Sequence, residues 1–552
     1  MSRATPPEVP AEQPREPDGG RSLLGALDEP EVLFDARADP GAGALGAVGA
    51  EASVDVPWPL LLRRRVQQRA TASPRYQWWV LWALLAGLLS LNITFTVFVV
   101  ALPTVAHQLH TNISVLTWAV TGPLLAFGLA APIFGKAGDL FGHRRLYLLG
   151  LSGAMVSAVL TALAPNVGIL LFARALDGVQ GAATGTASMA LIMRLFAPED
   201  RVKALGWWSL VGAGGPVLGV TVGSPVIEFI GWRALFWGQL GLLFISAAVV
   251  ALILPAHGRH AVAEVPGEDP VAANRWKDMD WVGTWSLSAG VTSLMLALSV
   301  APLAGWSSAG TIGALCVSVV AFFVFVWRIR TAEHPLIPPF YFKRRNFSFP
   351  IGARMSTAFA YFGAFFLFPL MMEEVYHYRI AQVGLLSAAR PLVFALSSPI
   401  AGYLTVRVGE RVSAVAGAAS VTLSMVIFAL LGLHASLPLI ILALCLSGLG
   451  MGVALPATSS AMGNEVGPSD YGVMSAAQLL ATQVGEVAGI QVLQTLQESG
   501  ARRLAGIGHE ASALLGTFHR AFWVGALVAA VGVACATFMR SVPRRAPAVP
   551  QP

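Results

Sequence analysis

Fourteen apolar runs, each close to the length of a bilayer-crossing helix, follow one another from residue 78 to residue 539. A hydrocarbon core about 30 Å thick takes about 20 residues of α-helix. It holds no water to satisfy backbone N–H and C=O groups, so a chain that crosses it must be helical or closed as a barrel. These runs are about twice as long as a barrel strand. Helices are therefore predicted at 78–104, 115–135, 146–164, 167–195, 204–226, 234–254, 281–302, 311–327, 348–372, 384–405, 413–433, 437–461, 473–495 and 518–539. Charged residues make up 12% of the 552 residues, against about 25% in soluble proteins. That supply cannot build a water-facing surface, and the spacing predicts an all-α polytopic membrane protein set in a lipid bilayer.

Fourteen spans return both termini to one side, and basic loop residues choose the side. One set of loops carries Arg63, Arg64 and Arg65, then Arg144 and Arg145, Arg201 and Lys203, Arg328 and Arg330, Arg344 and Arg345, and Arg544 and Arg545. The opposite loops carry mainly Arg233, Arg379, Arg502, Arg503 and Arg520. Both termini are predicted cytoplasmic. Residues 1–76 are rich in Pro, Gly, Ala and acids and read as a disordered tail with no signal peptide. The basic stretch closing that tail suits contact with anionic lipid, and more simply an orientation signal. Because the positive charge sits in loops, the net +6 does not point to nucleic acid. Cys316, Cys445 and Cys535 lie within apolar runs without metal or disulfide spacing, so neither is expected.

Longer polar segments at 255–280 and 328–347 bracket the seventh and eighth runs as an inserted pair. The chain thus divides into a tail (1–76), six helices (77–256), a linker region with two extra helices (257–347), six helices (348–539) and a short tail (540–552). An internal repeat supports the division. "GKAGDLFGHRR" at 135–145 follows the second run, and "GYLTVRVGER" at 402–411 follows the tenth. Gly135 to Gly142 and Gly402 to Gly409 have equal spacing, with Arg144 and Arg411 each two residues beyond. Two related halves are a common transporter plan.

"GKAGDLFGHRR" is similar to the signature loop of the major facilitator superfamily in Gly135, Asp139, Gly142, Arg144 and Arg145. "GAGGPVLGVTVG" at 212–223 resembles that family's fifth-helix antiporter motif, centred on Gly215, Pro216 and Gly219. There Gly215, Gly219 and Gly223 recur every four residues and leave one smooth face for close packing. "GWRALFW" at 231–237, "MDWVG" at 279–283 and "HPLIPPFYFKRRNF" at 334–347 resemble fourteen-helix drug:proton antiporters. The resemblance implies two six-helix bundles plus two central helices, in the cell membrane. It implies a monomer without cofactor that exports small amphipathic molecules in exchange for protons. It also implies a cytoplasmic charge latch at Asp139 and the nearby basic residues. Three positions depart from the pattern. Thr94 stands where the first helix usually carries an acid and Val99 where it carries an asparagine, and Asp177 replaces the glutamine that follows the fourth-helix arginine, here Arg174.

Charges within apolar runs are expensive and must face the bundle interior. Arg174 and Asp177, three residues apart, share a helix face. Asp177 reads either as the proton-coupling acid or as the neutraliser of Arg174. Glu486 lies with Gln478 on a polar and small stripe at helical spacing and is a second candidate for proton coupling, and Gln478 and Gln483 are candidates for a substrate cavity. Arg354 and Arg390 are candidates for a substrate cavity, where they would favour an anion, whereas the acids would favour a cation. Aromatics at Trp118, Trp207, Trp208, Phe359, Tyr361, Phe362, Phe365 and Phe366 suit either a cavity wall or plain packing. No Walker loop, H-E-x-x-H or G-x-S-x-G is present, which argues against direct ATP use and against an enzyme. Metabolite uptake, facilitated diffusion and a non-transporting receptor remain the alternatives to export.

Overall fold

Each of the fourteen apolar runs becomes a long helix in the computed structural model. They are α1 Tyr76–Gln108, α2 Trp118–Phe141, α3 His143–Ala162, α4 Val167–Leu195, α5 Pro198–Phe229, α6 Trp232–Ile253 and α7 Trp281–Ala304. The second set is α8 Ala309–Thr331, α9 Arg345–Glu374, α10 Ile380–Val408, α11 Glu410–Ala429, α12 Leu437–Glu465, α13 Tyr471–Leu504 and α14 Ala511–Phe538. The structure describes residues 67–69, 72–111, 113–116, 118–254, 279–504 and 511–540. Most of the tail expected at 1–76, the tail beyond residue 540 and the polar segment at 255–278 lie outside the described residues.

Several helices overrun their apolar runs. α1 continues to Gln108 and α13 to Leu504, because a helix goes on into the headgroup zone where polar side chains are solvated. Among the described residues, twelve helices are long and apolar enough to cross a membrane. The two that fall short are α4 and α13. α4 carries Arg174, Asp177 and Gln180, and α13 carries Gln478, Gln483 and Glu486. Hydropathy penalises the helices whose polar residues face the interior.

The packing repeats between the halves. In α1–α6 the neighbours are first with fifth, second with fourth, third with fourth, third with sixth, and first with sixth. In α9–α14 the same five pairings recur. The halves meet through α2 with α13 and through α5 with α10, so the second helix of each packs on the fifth of the other. The inserted α7–α8 hairpin lies beside this junction, α7 touching both α2 and α13. α8 turns Val319, Val320 and Phe323 outward, as a lipid-facing helix must.

The sequence repeat has a backbone counterpart. Gly142 sits at φ +98° and Gly409 at φ +93°, each between the second and third helix of its half. A side chain is strained in that region, so glycine makes the tight turn. Gly178 shows a different need. A Cβ there would run into the carbonyl of Pro123, so its absence lets α4 lie against the backbone of α2. Gly178→Ala is expected to part these helices and destabilise the protein by about 1–3 kcal/mol. A lower melting temperature of detergent-purified protein checks this. Gly238→Ala, where nothing lies within 4 Å, should leave it unchanged.

Candidate functional site

Pro123 has no N–H to give the carbonyl four residues earlier, so the α2 helix leaves the Ala119 oxygen free. Arg174 of α4 donates its Nε–H to that oxygen at 3.1 Å. The same guanidinium pairs with Asp177 one turn along and lies 4.7 Å over the Phe98 ring. The Ser157 hydroxyl of α3 donates to the Asp177 carboxylate. Arg174 is buried, and Asp177 shows 15% of its side chain to the space between the halves. The two residues that share a helix face in the sequence therefore form one neutral pair, anchored on α2 and α3.

That space is a cavity of about 710 Å³. The first half lines it with Asn92, Thr94, Phe127, Arg174, Asp177, Trp208 and Pro216, the second with Tyr361, Phe362, Phe365, Phe366, Phe394, Gln483 and Glu486. Thr94, at the family's acid position, bonds the Ser90 carbonyl and brings no charge. Gly215 is pressed against Asn92 of α1, where a Cβ would not fit. Gly219 is buried.

Ion pairing separates the charges around the cavity. The described residues place five arginine or lysine side chains and His143 within ion-pairing distance of an acid, and Glu486, Arg354 and Arg390 belong to none of these contacts. Glu486 lines the cavity. Arg354 and Arg390 do not: they are 3% and 1% exposed and lie behind its wall, as does Gln478. Arg354 bonds Thr482, Ser459 at 2.7 Å and Gln478 at 3.3 Å. Arg390 donates to the Tyr361 carbonyl at 3.2 Å and lies over the Tyr361 and Phe428 rings. The arginines expected at a substrate cavity are thus structural neighbours of it.

At one end of the bundle the halves are bonded shut. Asp139, in the signature loop, accepts the N–H groups of Gly472 at 2.8 Å and Val473 at 3.0 Å, in the first turn of α13. A helix start has unpaired N–H groups and a positive dipole end, and a carboxylate there suits both. His143 stands 3.2 Å from the same carboxylate. Gly135 brings α2 against Gly472 closely enough to make the contact. Arg144 donates instead to the Ala251 carbonyl of α6, and Arg145 is exposed. The companion cation across the junction is Arg201 of α5, which sequence reading treats only as a topology signal. It donates to Gly463 O at 3.2 Å, Asn464 Oδ1 at 2.9 Å and the Tyr471 hydroxyl at 2.7 Å. Tyr341, from the linker before α9, donates to Asp470 at 2.8 Å and accepts from Gly467 N–H. Burial, reinforced by the Asp470 bond, pushes its hydroxyl up to about 12, so it remains a donor at neutral pH.

The chain matches the family model described as Major Facilitator Superfamily over residues 82–490 and 351–552. It is 30% identical over 482 residues to puromycin resistance protein pur8 of Streptomyces alboniger, covering 83% of this chain and 89% of that protein. It is 26% identical over 422 residues to the tetracenomycin C resistance and export protein of Streptomyces glaucescens, covering 76% of each. Multidrug resistance protein Stp of Mycobacterium tuberculosis is 27% identical, covering 72% of each chain. Among solved structures, the human organic anion transporter MFSD10 (TETRAN) aligns with a TM-score of 0.56 at 17% identity, over 83% of this chain and 100% of that one. The proton:xylose symporter XylE aligns at 0.54 and 12%, over 82% and 94%. At such identities the structures show a shared fold.

Two variants test the bonded groups. Asp139→Ala should lower transport in membrane vesicles while protein in the membrane stays at the unmutated level. Asp177→Asn leaves Arg174 buried without its anion, a loss of about 3–5 kcal/mol. It should reduce thermal stability in detergent, with partial recovery when Arg174→Gln is added.

Proposed function

The chain belongs to the Major Facilitator Superfamily, and from that premise we propose that it exports amphipathic small molecules, preferentially cations, in exchange for protons. It is a multi-pass membrane transporter and not an enzyme. The observation that carries the proposal is the cavity between the halves, whose wall is largely apolar and aromatic and holds one acid without an ion pair, Glu486. Asp177 is spoken for by Arg174, and among the described residues no other arginine lines the cavity. An aromatic box with one carboxyl suits a flat lipophilic cation through ring faces and charge. The same carboxyl holds either a proton or the cation, which couples export to proton entry. Glu486 thus takes the coupling role, and Asp177 neutralises Arg174.

The resistance and export proteins among the relatives support export of drug-like molecules. Orientation follows from the basic loops: the signature-loop face is cytoplasmic, as are both termini, and all fourteen long helices cross the cytoplasmic membrane. α4 and α13 then cross within the bundle, shielded by their neighbours. Residues 77–256 and 348–539 are the two moving bundles, and 257–347 is the segment between them. With the signature-loop face taken as cytoplasmic, the Asp139 and Arg201 bonds shut the cavity on that side. It is complete within one chain, which supports action as a monomer.

Everted vesicles with an imposed pH gradient and ethidium as probe test the reading. Glu486→Gln should abolish gradient-driven accumulation and leave downhill ethidium flux. Unchanged accumulation would remove Glu486 from coupling. Preference for an anionic dye over ethidium would remove the cation assignment.

A further inference from the structure

The second half holds a buried cation with only neutral partners, Arg354, and one turn from its anchor a carboxyl with no ion pair, Glu486. We propose that Arg354 is the counter-cation of Glu486 in its deprotonated state, its guanidinium swinging from Thr482 to the carboxylate. This rests on the reading of Glu486 as the proton carrier and assigns the residue that makes proton release possible.

The seam between α9 and α13 sets the distance. Gly485 and Gly489 of α13 lie against the carbonyls of Met355 and Phe359, and Gly363 of α9 lies against the Gly489 carbonyl, each too close for a Cβ. The two backbones therefore touch, with residue 355 beside 485 and 359 beside 489. By that register Arg354 is level with residue 484, and Glu486 is about 3 Å further along the axis. Side chains tilt toward the start of their helix. Both helices run away from the signature-loop face, so Arg354 reaches back to Thr482 and Gln478. Glu486 is tilted the same way, toward the anchor. Thr482 and Glu486 are four residues apart on one ridge of α13, about 5–6 Å between Cβ atoms.

The other charges near Glu486 are occupied or shielded. Arg174 and Asp177 of α4 cancel one another. Arg390 of α10 gives one Nη to the Tyr361 carbonyl and leaves its Nε and other Nη without a partner, but the Tyr361 ring stands between it and the cavity, which Arg390 does not line. α7 brings no titratable group within its length. Lys136 and Asp139 of α2, Glu465 of α12, and His519 and Arg520 of α14 lie toward the ends of α13. Arg354 is the cation whose anchor shares a ridge with the carboxyl. On release the carboxyl O–H bond breaks, the proton leaves to cavity water, and the electron pair stays on the carboxylate. The guanidinium keeps all its protons and exchanges a hydroxyl acceptor for a charged one. Without it, a lone carboxylate would remain in a largely apolar wall, where an unpaired charge is disfavoured.

Gradient-driven ethidium export across a pH series tests the assignment, with the purified protein followed by infrared difference spectroscopy of the protonated carboxyl band that Glu486→Gln removes. Arg354→Gln should move both the export profile and the band about 1–3 pH units toward alkaline, and Arg354→Lys should return both most of the way to the unmutated position. In the Glu486→Gln background, Arg354→Gln should cost no further downhill flux. An unshifted band, or equal flux losses in both backgrounds, would reduce Arg354 to a packing residue. Failure of Glu486 to couple would show separately, as full export by Glu486→Gln alone. If Arg354→Gln does not accumulate in the membrane, the guanidinium bands of the unmutated protein carry the test: they should change in step with the loss of the protonated Glu486 band as pH rises, and guanidinium bands that stay constant through that titration overturn the pairing.

Discussion

A charge within the hydrocarbon thickness has to be met by the protein itself, because neither lipid nor bulk water will meet it. The bundle meets its charges in three ways. Arg174 is met by a carboxylate and by a backbone carbonyl that a proline set free. Arg390 is met by a carbonyl and two ring faces, and Arg354 by hydroxyls and an amide. Glu486 is left to the cavity. The paired groups cancel, and one carboxyl without an ion pair remains among the described residues that line the cavity.

The halves are related in sequence and in packing, yet the junction between them is not symmetric. Asp139 of the first half caps the start of α13, while the matching position in the repeat is Val406. The start of α5 instead has its own Glu199 and Asp200 in the first turn. On that side the bond across the junction comes from Arg201, reaching to the end of α12. Each half contributes a helix start to the closed face, but one is held by a carboxylate and the other carries a guanidinium.

Much of this was legible in the residues because it depends on periodicity and spacing. The apolar runs placed the helices, and the two glycine-framed loops revealed the repeat whose turns share a left-handed glycine. The i,i+3 spacing of Arg174 and Asp177 implied a pair. What escaped depends on contacts between distant segments. Asp139 finds backbone N–H groups more than 330 residues away, and no side-chain pattern marks an unpaired N–H. Arg354 and Arg390 looked like cavity residues because an intramembrane arginine tells of an interior position and not of which side of a helix it occupies. Arg201 was hidden by having an evident role as a loop cation.

The inserted hairpin has a mechanical consequence. Leu336, Ile337 and Tyr341, just after α8, are packed in the same cluster as Met193 and Leu205 of the first half and Met462 and Tyr471 of the second. Tyr341 is also fastened to the turn between α12 and α13, and Arg344 to Glu465. The extra helices are therefore geared to the closing face through a strap of fixed length. That face cannot part without moving or releasing this tie to the inserted hairpin.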